Sequence, residues 1–170
     1  MAVRTYAAGI LPFYDDGQTV LLGQEYRENI GKDVLMEFGG KVDPNETLAM
    51  AAQRETFEET AGTLNISLSD LNKAETEGHY VDFFNPKSGV FYRMYCIKLA
   101  GPKPDPEVFK NNAVGKDHVE KTRWAYFKAT DVIFNEEGRL PNEYAELYST
   151  FCIRLGLLRE KSFLTYFVCR

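Results

Sequence analysis

The sequence predicts a fold of the α/β or α+β class, in which helices pack on a mixed sheet. Strand-like segments, a helical segment, more strands and a second helix follow one another along the chain. Aromatic residues, which pack well on pleated surfaces, make up 14% of the 170 residues. This length suits one domain, residues 1–170, with a single sizeable core.

The first elements are two strands and a short third one. Residues 3–14 and 19–27 are rich in apolar and aromatic side chains, and the Asp16-Gly17 step between them is a strong hairpin signal. Residues 34–38 form a short strand candidate. We expect it to end at Gly39 and Gly40, in a loop where main-chain oxygens can approach a ligand closely.

A helix follows, predicted over about residues 44–60. Asp43 is a suitable N-cap, Pro44 suits the first helical position, and Glu46 stands three residues after the cap. That spacing is a capping box, so capping is the simplest structural role for Glu46.

The remaining segments complete the pattern. A second hairpin is predicted from residues 78–84, a turn at 85–89 and a strand at 90–99. Three prolines in five positions indicate that residues 100–118 form a loop, and residues 121–127 form another strand. A helix over residues 141–160 is predicted from an apolar stripe at three- and four-residue steps, formed by Tyr144, Leu147, Tyr148, Phe151, Leu155 and Leu158.

Charge and cysteine content restrict the possible functions. The net charge of −5 makes general binding to a nucleic acid backbone or an anionic membrane unfavourable. A phosphorylated small molecule stays possible if a metal ion offsets the charge. The three cysteines form no C-x-x-C pair, which argues against a zinc site or a disulfide framework and favours a reducing compartment. Because we see neither a signal peptide nor a membrane-spanning run, we expect a cytoplasmic protein.

The helix at residues 44–60 carries an unusual acidic face. At about 100° per residue, Glu55, Glu58 and Glu59 point at one volume, next to a face of the small residues Ala49, Ala52, Thr56 and Thr60. A solvated face is the simpler interpretation. Convergent carboxylates close to a main-chain carbonyl are also the hard oxygen ligands that Mg²⁺ or Mn²⁺ prefers.

Residues 40–62 resemble the signature of the Nudix hydrolases. Six positions have the residue and the spacing of that signature: Gly40, Glu46, Arg54, Glu55, Glu58 and Glu59. Three positions depart from it: Thr56 and Gly62 stand at aliphatic sites, and Ala61 stands at a glycine site. The departures shift the helix end by one residue and leave the acidic cluster intact.

The resemblance implies an α/β/α sandwich around a mixed sheet and hydrolysis of a diphosphate linkage with Mg²⁺ or Mn²⁺. By position, Glu58 and Glu59 would be metal ligands, Glu55 a ligand or the group that orients the attacking water, and the carbonyl of Gly40 a further ligand. Arg54 and Glu46 would pair to hold the acidic side chains in place. For the further glutamate that many members use as a base or ligand, Glu120 is the candidate, with Asp117, Glu77 and His118 as competitors.

The substrate implied is a nucleoside diphosphate derivative, and the markers of its class conflict. Tyr26, Arg27 and Glu37 resemble the ADP-ribose and nucleotide-sugar branch, with Tyr26 stacking on a base and Arg27 binding a phosphate. Tyr80 lies near a tyrosine of the diadenosine polyphosphate hydrolases. A nucleotide-sensing module without turnover and an mRNA-cap hydrolase are the alternatives. Both a monomer and a homodimer stay open.

Overall fold

A mixed sheet with helices on both of its faces forms the body of the molecule, as the sequence predicts. The computed structural model describes residues 2–141 and 144–168. The strands in these ranges are β1 Thr5–Tyr14, β2 Thr19–Arg27, β3 Lys32–Met36, β4 Phe38–Lys41, β5 Tyr80–Asn85, β6 Val90–Lys98, β7 Lys121–Lys128 and β8 Glu146–Leu147. The helices are α1 Leu48–Glu59, α2 Leu68–Glu77, α3 Pro106–Ala113, α4 Ala129–Ile133, α5 Ser149–Arg159 and α6 Leu164–Phe167.

The short strand β4 occupies a special place in the sheet. β1 runs parallel to β6 along most of its length, but it pairs with β2 only at Phe13 and Tyr14. Further back along β1, the antiparallel partner is β4, with Ala7 opposite Lys41 and Ile10 opposite Phe38. β2 instead pairs with β3 on one edge and β7 on the other. The pairing therefore places β4 beside the middle of β1, on the side of β1 that β2 occupies further along the strand.

Two apolar layers enclose the sheet. On one face, the small side chains Ala49 and Ala52 of α1 pack with Ala8 and Ile10 of β1. On the other face, α5 and α6 join a cluster with Leu11 and Phe13. Since the contacting side chains of α1 are small, that helix lies close to β1 and β4, and its acidic side chains are carried close to the strand backbone.

Helix α1 begins later than the sequence predicts. Its N-cap is Thr47, whose side chain accepts a hydrogen bond from the main-chain nitrogen of Met50, so the predicted start at Asp43 and Pro44 is wrong. Glu46 does accept a hydrogen bond from the Asp43 nitrogen at 2.8 Å, but in the turn before the helix. The hydroxyl of Thr47 caps the main-chain nitrogen three residues later, so the helix starts there and not at Asp43 and Pro44.

Two segments predicted as loops contain regular structure. Gly39 and Gly40 lie within β4, where pairing with β1 satisfies their backbone. The proline-rich segment 100–118 contains α3, which Asp105 caps with its side chain and which Pro106 begins. The prolines here start a helix, because the fixed φ of proline suits the first helical position.

The predicted helix over residues 141–160 is wrong in its first half. Glu146 and Leu147 run parallel to β3, opposite Val34 and Leu35, so the chain is extended there and α5 starts only at Ser149. Residues 142 and 143 lie outside the described ranges. The apolar side chains at the start of the stripe contact the sheet from this extended segment: the ring of Tyr144 lies 4.8 Å from that of Phe127.

The helices α2, α4 and α6 were not predicted, and none of the helices in the described ranges is long and apolar enough to cross a membrane. Cys96 and Cys152 carry free thiols, and Cys169 lies outside the described residues. Burial raises the pKa of both thiols, which disfavours the reactive thiolate form.

Candidate active site

Glu55 of α1 lies directly over Gly40 of β4. A Cβ atom built on Gly40 would stand 2.5 Å from the carboxylate carbon of Glu55, far inside van der Waals contact. A side chain at this position would displace the carboxylate of Glu55. The absence of a side chain at Gly40 therefore brings a carboxylate and the main chain of β4 to one place.

Glu59, one turn further along α1, is anchored from two sides. Its Oε1 accepts a hydrogen bond from the main-chain nitrogen of Gly39 at 2.6 Å. Its main-chain carbonyl accepts one from Nε1 of Trp124 at 3.0 Å, which ties the end of α1 to β7. Only 12% of the side chain is exposed. Burial raises the pKa of Glu59 to about 8, although the Gly39 nitrogen and Lys121 act against that rise.

Arg54 links the other acidic residues of the cluster. Its Nε and Nη2 donate to the two carboxylate oxygens of Glu46 at 2.8 and 2.9 Å, a bidentate pair. Its Nη1 donates to Oε1 of Glu55 at 2.9 Å, and Nη2 also reaches the carbonyl oxygen of Lys41. The guanidinium holds the pKa of Glu46 below its ordinary value. Arg54 thus fixes Glu55 relative to both the turn before α1 and the strand β4.

Glu58 is the most exposed member, with 45% of its side chain accessible and its Oε2 at 3.5 Å from Arg54. Burial raises the pKa of Glu55 despite the nearby Arg54. In the ranges described, no three His, Cys, Asp or Glu side chains already stand close enough together to hold a metal ion. The donor types nevertheless fit Mg²⁺ or Mn²⁺, because the carboxylate of Glu55 lies over the main chain of Gly40 and such groups supply hard oxygen ligands.

A buried pair that sequence reasoning missed lies beneath Glu59. Lys121, the first residue of β7, is fully buried, and its Nζ lies 2.6 Å from Oε1 of Glu25 and 3.7 Å from Oε2 of Glu59. Burial acts to raise the pKa of Glu25, but Lys121 and Arg27 outweigh it, and that pKa is lowered. A lysine in a strand far along the chain carries no local signal of this contact.

A cavity of about 410 Å³ lies on the opposite face of β4. Gly39 faces this side of β4, unlike Gly40, since a Cβ atom built on Gly39 would collide with the hydroxyl of Tyr92. Buried Glu37 forms an ion pair with Arg154 of α5, whose guanidinium lies 4.0 Å from the centre of the Tyr92 ring. Arg154 was missed by the sequence analysis, although it stands among Phe151, Leu155 and Leu158 on the predicted apolar face.

The predicted substrate-binding residues are not all brought together. Arg27 and Glu37 both line the cavity, and Arg27 also donates to the hydroxyl of Tyr148 at 3.3 Å. Tyr26 is 56% exposed and is not among the residues that line the cavity. Tyr80 lies under the guanidinium of Arg93, 3.9 Å from the ring centre, and does not line the cavity either.

The candidate bases lie in two places. Glu120, Asp117 and His118 are exposed in the segment between α3 and β7, and Glu120 directly precedes the buried Lys121. Lys116 of this segment reaches the carbonyl oxygen of Ala61 at 3.5 Å, so the segment contacts the end of α1. Glu77 lies elsewhere, at the end of α2, with its Oε2 at 3.4 Å from His79.

The end of α1 shows what the departures from the signature mean. Ala61 and Gly62 both have left-handed backbones, with φ of 52° and 76°. Their nitrogens donate to the carbonyl oxygens of Glu58 and Phe57, which closes the helix. The alanine at the glycine site thus adopts a conformation that glycine favours.

Comparison with known proteins identifies the family of the chain. The model of the NUDIX domain matches residues 3–151. The structure of an ADP compounds hydrolase is 17% identical with a TM-score of 0.55, covering 94% of this chain and 73% of that one. A C. elegans Ap4A hydrolase is 22% identical with a TM-score of 0.55, covering 90% of this chain and 95% of that one. At these identities the likeness shows the fold alone. No curated protein matches the sequence.

Proposed function

Because this chain belongs to the Nudix family of hydrolases, we propose that it cleaves the diphosphate linkage of a nucleoside diphosphate derivative with Mg²⁺ or Mn²⁺. The observation that carries the proposal is the convergence of Glu55 and Glu59 on β4. One carboxylate lies over Gly40 and the other accepts a hydrogen bond from Gly39. Oxygen atoms of a helix and a strand thereby meet at β4, whose Gly39 and Gly40 also line the cavity on its other face, large enough for a nucleotide group.

The acidic cluster would hold the metal. Glu58, Glu59 and the carbonyl of Gly40 are the proposed ligands, and Glu55 is a ligand or the group that orients water. When bound, Mg²⁺ or Mn²⁺ neutralises charge on the diphosphate and acidifies a bound water. Arg54 contributes by fixing Glu55, and Glu46 holds Arg54 through its bidentate pair.

The chain also offers groups that can accept a proton from the attacking water. Arg54 engages Oε1 of Glu55, so Oε2 is the oxygen that we assign to the water. The burial that raises the pKa of Glu55 makes it a better proton acceptor than an exposed carboxylate. Glu120 is the second candidate base, since the segment that carries it contacts the end of α1 through Lys116.

The cavity supports a substrate with at least one nucleoside. Its volume of about 410 Å³ suits one nucleoside-sized group. Arg27 provides a cation at the cavity wall, and Tyr148 and Tyr92 provide aromatic surface. ADP-ribose, nucleotide sugars and dinucleoside polyphosphates are the proposed substrates. Two structural neighbours, an ADP compounds hydrolase and an Ap4A hydrolase, are consistent with that range.

The experiment is a hydrolysis panel. The protein is incubated with ADP-ribose, a nucleotide sugar, diadenosine tetraphosphate or capped RNA, with Mg²⁺, Mn²⁺ or EDTA, and the products are separated by chromatography. We expect metal-dependent release of a nucleoside monophosphate from at least one small substrate. Glu58→Gln and Glu59→Gln should each lower kcat by about a hundredfold or more, roughly 2.7 kcal/mol of barrier.

The matched control is Glu137→Gln, which removes an exposed glutamate from the loop after α4 and should leave the rate unchanged. If no compound is hydrolysed with either metal, the proposal that the protein is an enzyme is contradicted, and a nucleotide-sensing module is favoured. Unchanged rates in both site variants would contradict the assignment of the ligands. A Glu120→Gln loss below about tenfold, 1.4 kcal/mol, would exclude Glu120 as the base.

A further inference from the structure

The most unusual charged group near the site is Lys121. Its side chain has no exposed surface. The aliphatic stem fills the space beside Gly23, where a Cβ atom would stand 2.8 Å from Cδ of Lys121. Its ammonium lies 5.7 Å from the centre of the Phe38 ring. The surrounding residues therefore fix the position of this cation, and a substrate phosphate has no access to it.

The ammonium stands between two carboxylates that belong to different elements. Glu25 of β2 is the close partner at 2.6 Å, and Glu59 of α1 is the distant partner at 3.7 Å. Burying an ammonium is costly unless carboxylates compensate it. Lys121 is therefore the cation that both carboxyl groups face in this interior region.

We propose that Lys121 is a positioning residue that competes with divalent ions for Glu59, and that Glu25 sets the strength of this competition by holding the ammonium away. The inference rests on the proposed function, in which Glu59 is a metal ligand. The asymmetry of the two distances carries it. A cation midway between two carboxylates would weaken metal binding at Glu59, whereas one held by Glu25 leaves Oε2 of Glu59 available.

Competition of this kind predicts an order of metal affinities. In Glu25→Gln, the ammonium loses its close anionic partner and pairs with Glu59, so Mn²⁺ binds more weakly, by about threefold or more. In the double variant Glu25→Gln/Lys121→Met, the competing cation is gone while no unpaired Glu25 is left behind. Mn²⁺ then binds about threefold or more tightly than in the wild-type protein, because Coulomb attraction acts strongly over a few ångströms in a protein interior.

The experiment is a titration of each protein with Mn²⁺ without substrate, in which electron paramagnetic resonance measures the free ion. Near-ultraviolet circular dichroism checks that each variant is folded. The expected order of affinity is the double variant, then the wild type, then Glu25→Gln. A merely structural Lys121–Glu25 pair would move stability and leave the affinities of the folded variants within twofold of one another, which would overturn the inference.

Glu59→Gln separates this result from the proposed function. If it removes Mn²⁺ binding while the order of the other three proteins fails, only the competition is wrong. If Glu59→Gln leaves Mn²⁺ binding unchanged, the assignment of Glu59 as a ligand and the inference fall together. Rates of hydrolysis are not needed for either decision.

Discussion

Arg54 and Lys121 both contact acidic residues of α1, but Arg54 is partly exposed and Lys121 is buried. Arg54 is 27% exposed and spreads its contacts over Glu46, Glu55 and Glu58. Lys121 is fully buried and is divided between Glu25 and Glu59. A partly exposed guanidinium organises several carboxylates at modest cost. A buried ammonium is tolerated only while its close partner is present. The first arrangement fixes geometry, and the second also sets the local charge.

The largest expected effect tests that difference through stability. Lys121→Met leaves Glu25 and Glu59 without their shared cation, and breaking such a buried pair costs about 3–5 kcal/mol. Arg54→Met should cost about 1–2 kcal/mol, since solvent screens its partners. Denaturant unfolding in EDTA measures both. An Arg54→Met loss as large as that of Lys121→Met would contradict the contrast between the two cations.

The next effect concerns the metal. A divalent ion that binds only the folded protein at a hundred times its Kd stabilises it by about 2.7 kcal/mol. We expect millimolar Mg²⁺ or Mn²⁺ to raise Tm in the wild type and in Glu137→Gln, because the repulsion among the α1 carboxylates is relieved. The gain should vanish in Glu59→Gln. Equal gains in Tm in all three proteins would show that the stabilising divalent ion binds away from Glu59.

A smaller effect, the pH dependence of stability, distinguishes the buried Glu59 from the carboxylates that Arg54 contacts. The pKa of Glu59 is raised to about 8 in the folded protein, above its ordinary value. Between those values the folded state holds a proton that the unfolded state has lost, so stability falls as pH rises. In EDTA, unfolding should become easier by about 1–2 kcal/mol between about pH 6 and pH 7.5.

The control for this pH effect is Glu59→Gln, in which the slope should be nearly flat over the same interval. A wild-type protein that becomes more stable as pH rises through this interval would show that Glu59 is ionised already. Glu59 would then be ionised like the solvent-screened carboxylates beside Arg54, despite its burial.

The smallest effect lies at the end of α1. Ala61→Gly relieves a left-handed alanine, worth about 1 kcal/mol, while it removes a buried methyl group and loosens the unfolded chain. We expect a net change within about 0.5 kcal/mol. Ala52→Gly, in the middle of the helix, should lose about 1 kcal/mol or more. Equal losses at both positions, measured by thermal unfolding, would contradict the strain at Ala61.

The same contrast explains what could be read from the sequence. The partners of Arg54 stand at most 13 residues away, so helical spacing and the resemblance to the Nudix signature together could predict the cluster. Lys121 contacts Glu25 across 96 residues, and Arg154 contacts Glu37 across 117, and no local pattern records such distances. Only Arg154 left a trace, as a charged residue on a predicted apolar face.

The fold divides in the same way. Both hairpins are local and were predicted, since their turns and alternation lie in adjacent residues. The pairing of β4 with β1 and of β8 with β3 depends on distant partners. Where pairing with a distant strand determines the secondary structure, the sequence prediction was wrong. This applies to Gly39, Gly40 and the first half of the helix predicted over residues 141–160.

The most direct test of a metal-dependent attack of water at this site is hydrolysis in ¹⁸O-enriched water. ADP-ribose and diadenosine tetraphosphate are incubated with Mg²⁺ or Mn²⁺, and mass spectrometry measures ¹⁸O in the phosphate products. We expect one ¹⁸O atom per cleaved diphosphate bond in the wild type, with cleavage lost in EDTA and in Glu59→Gln. Absence of cleavage with both metals, or products without ¹⁸O, would contradict a metal-dependent attack of water at this site.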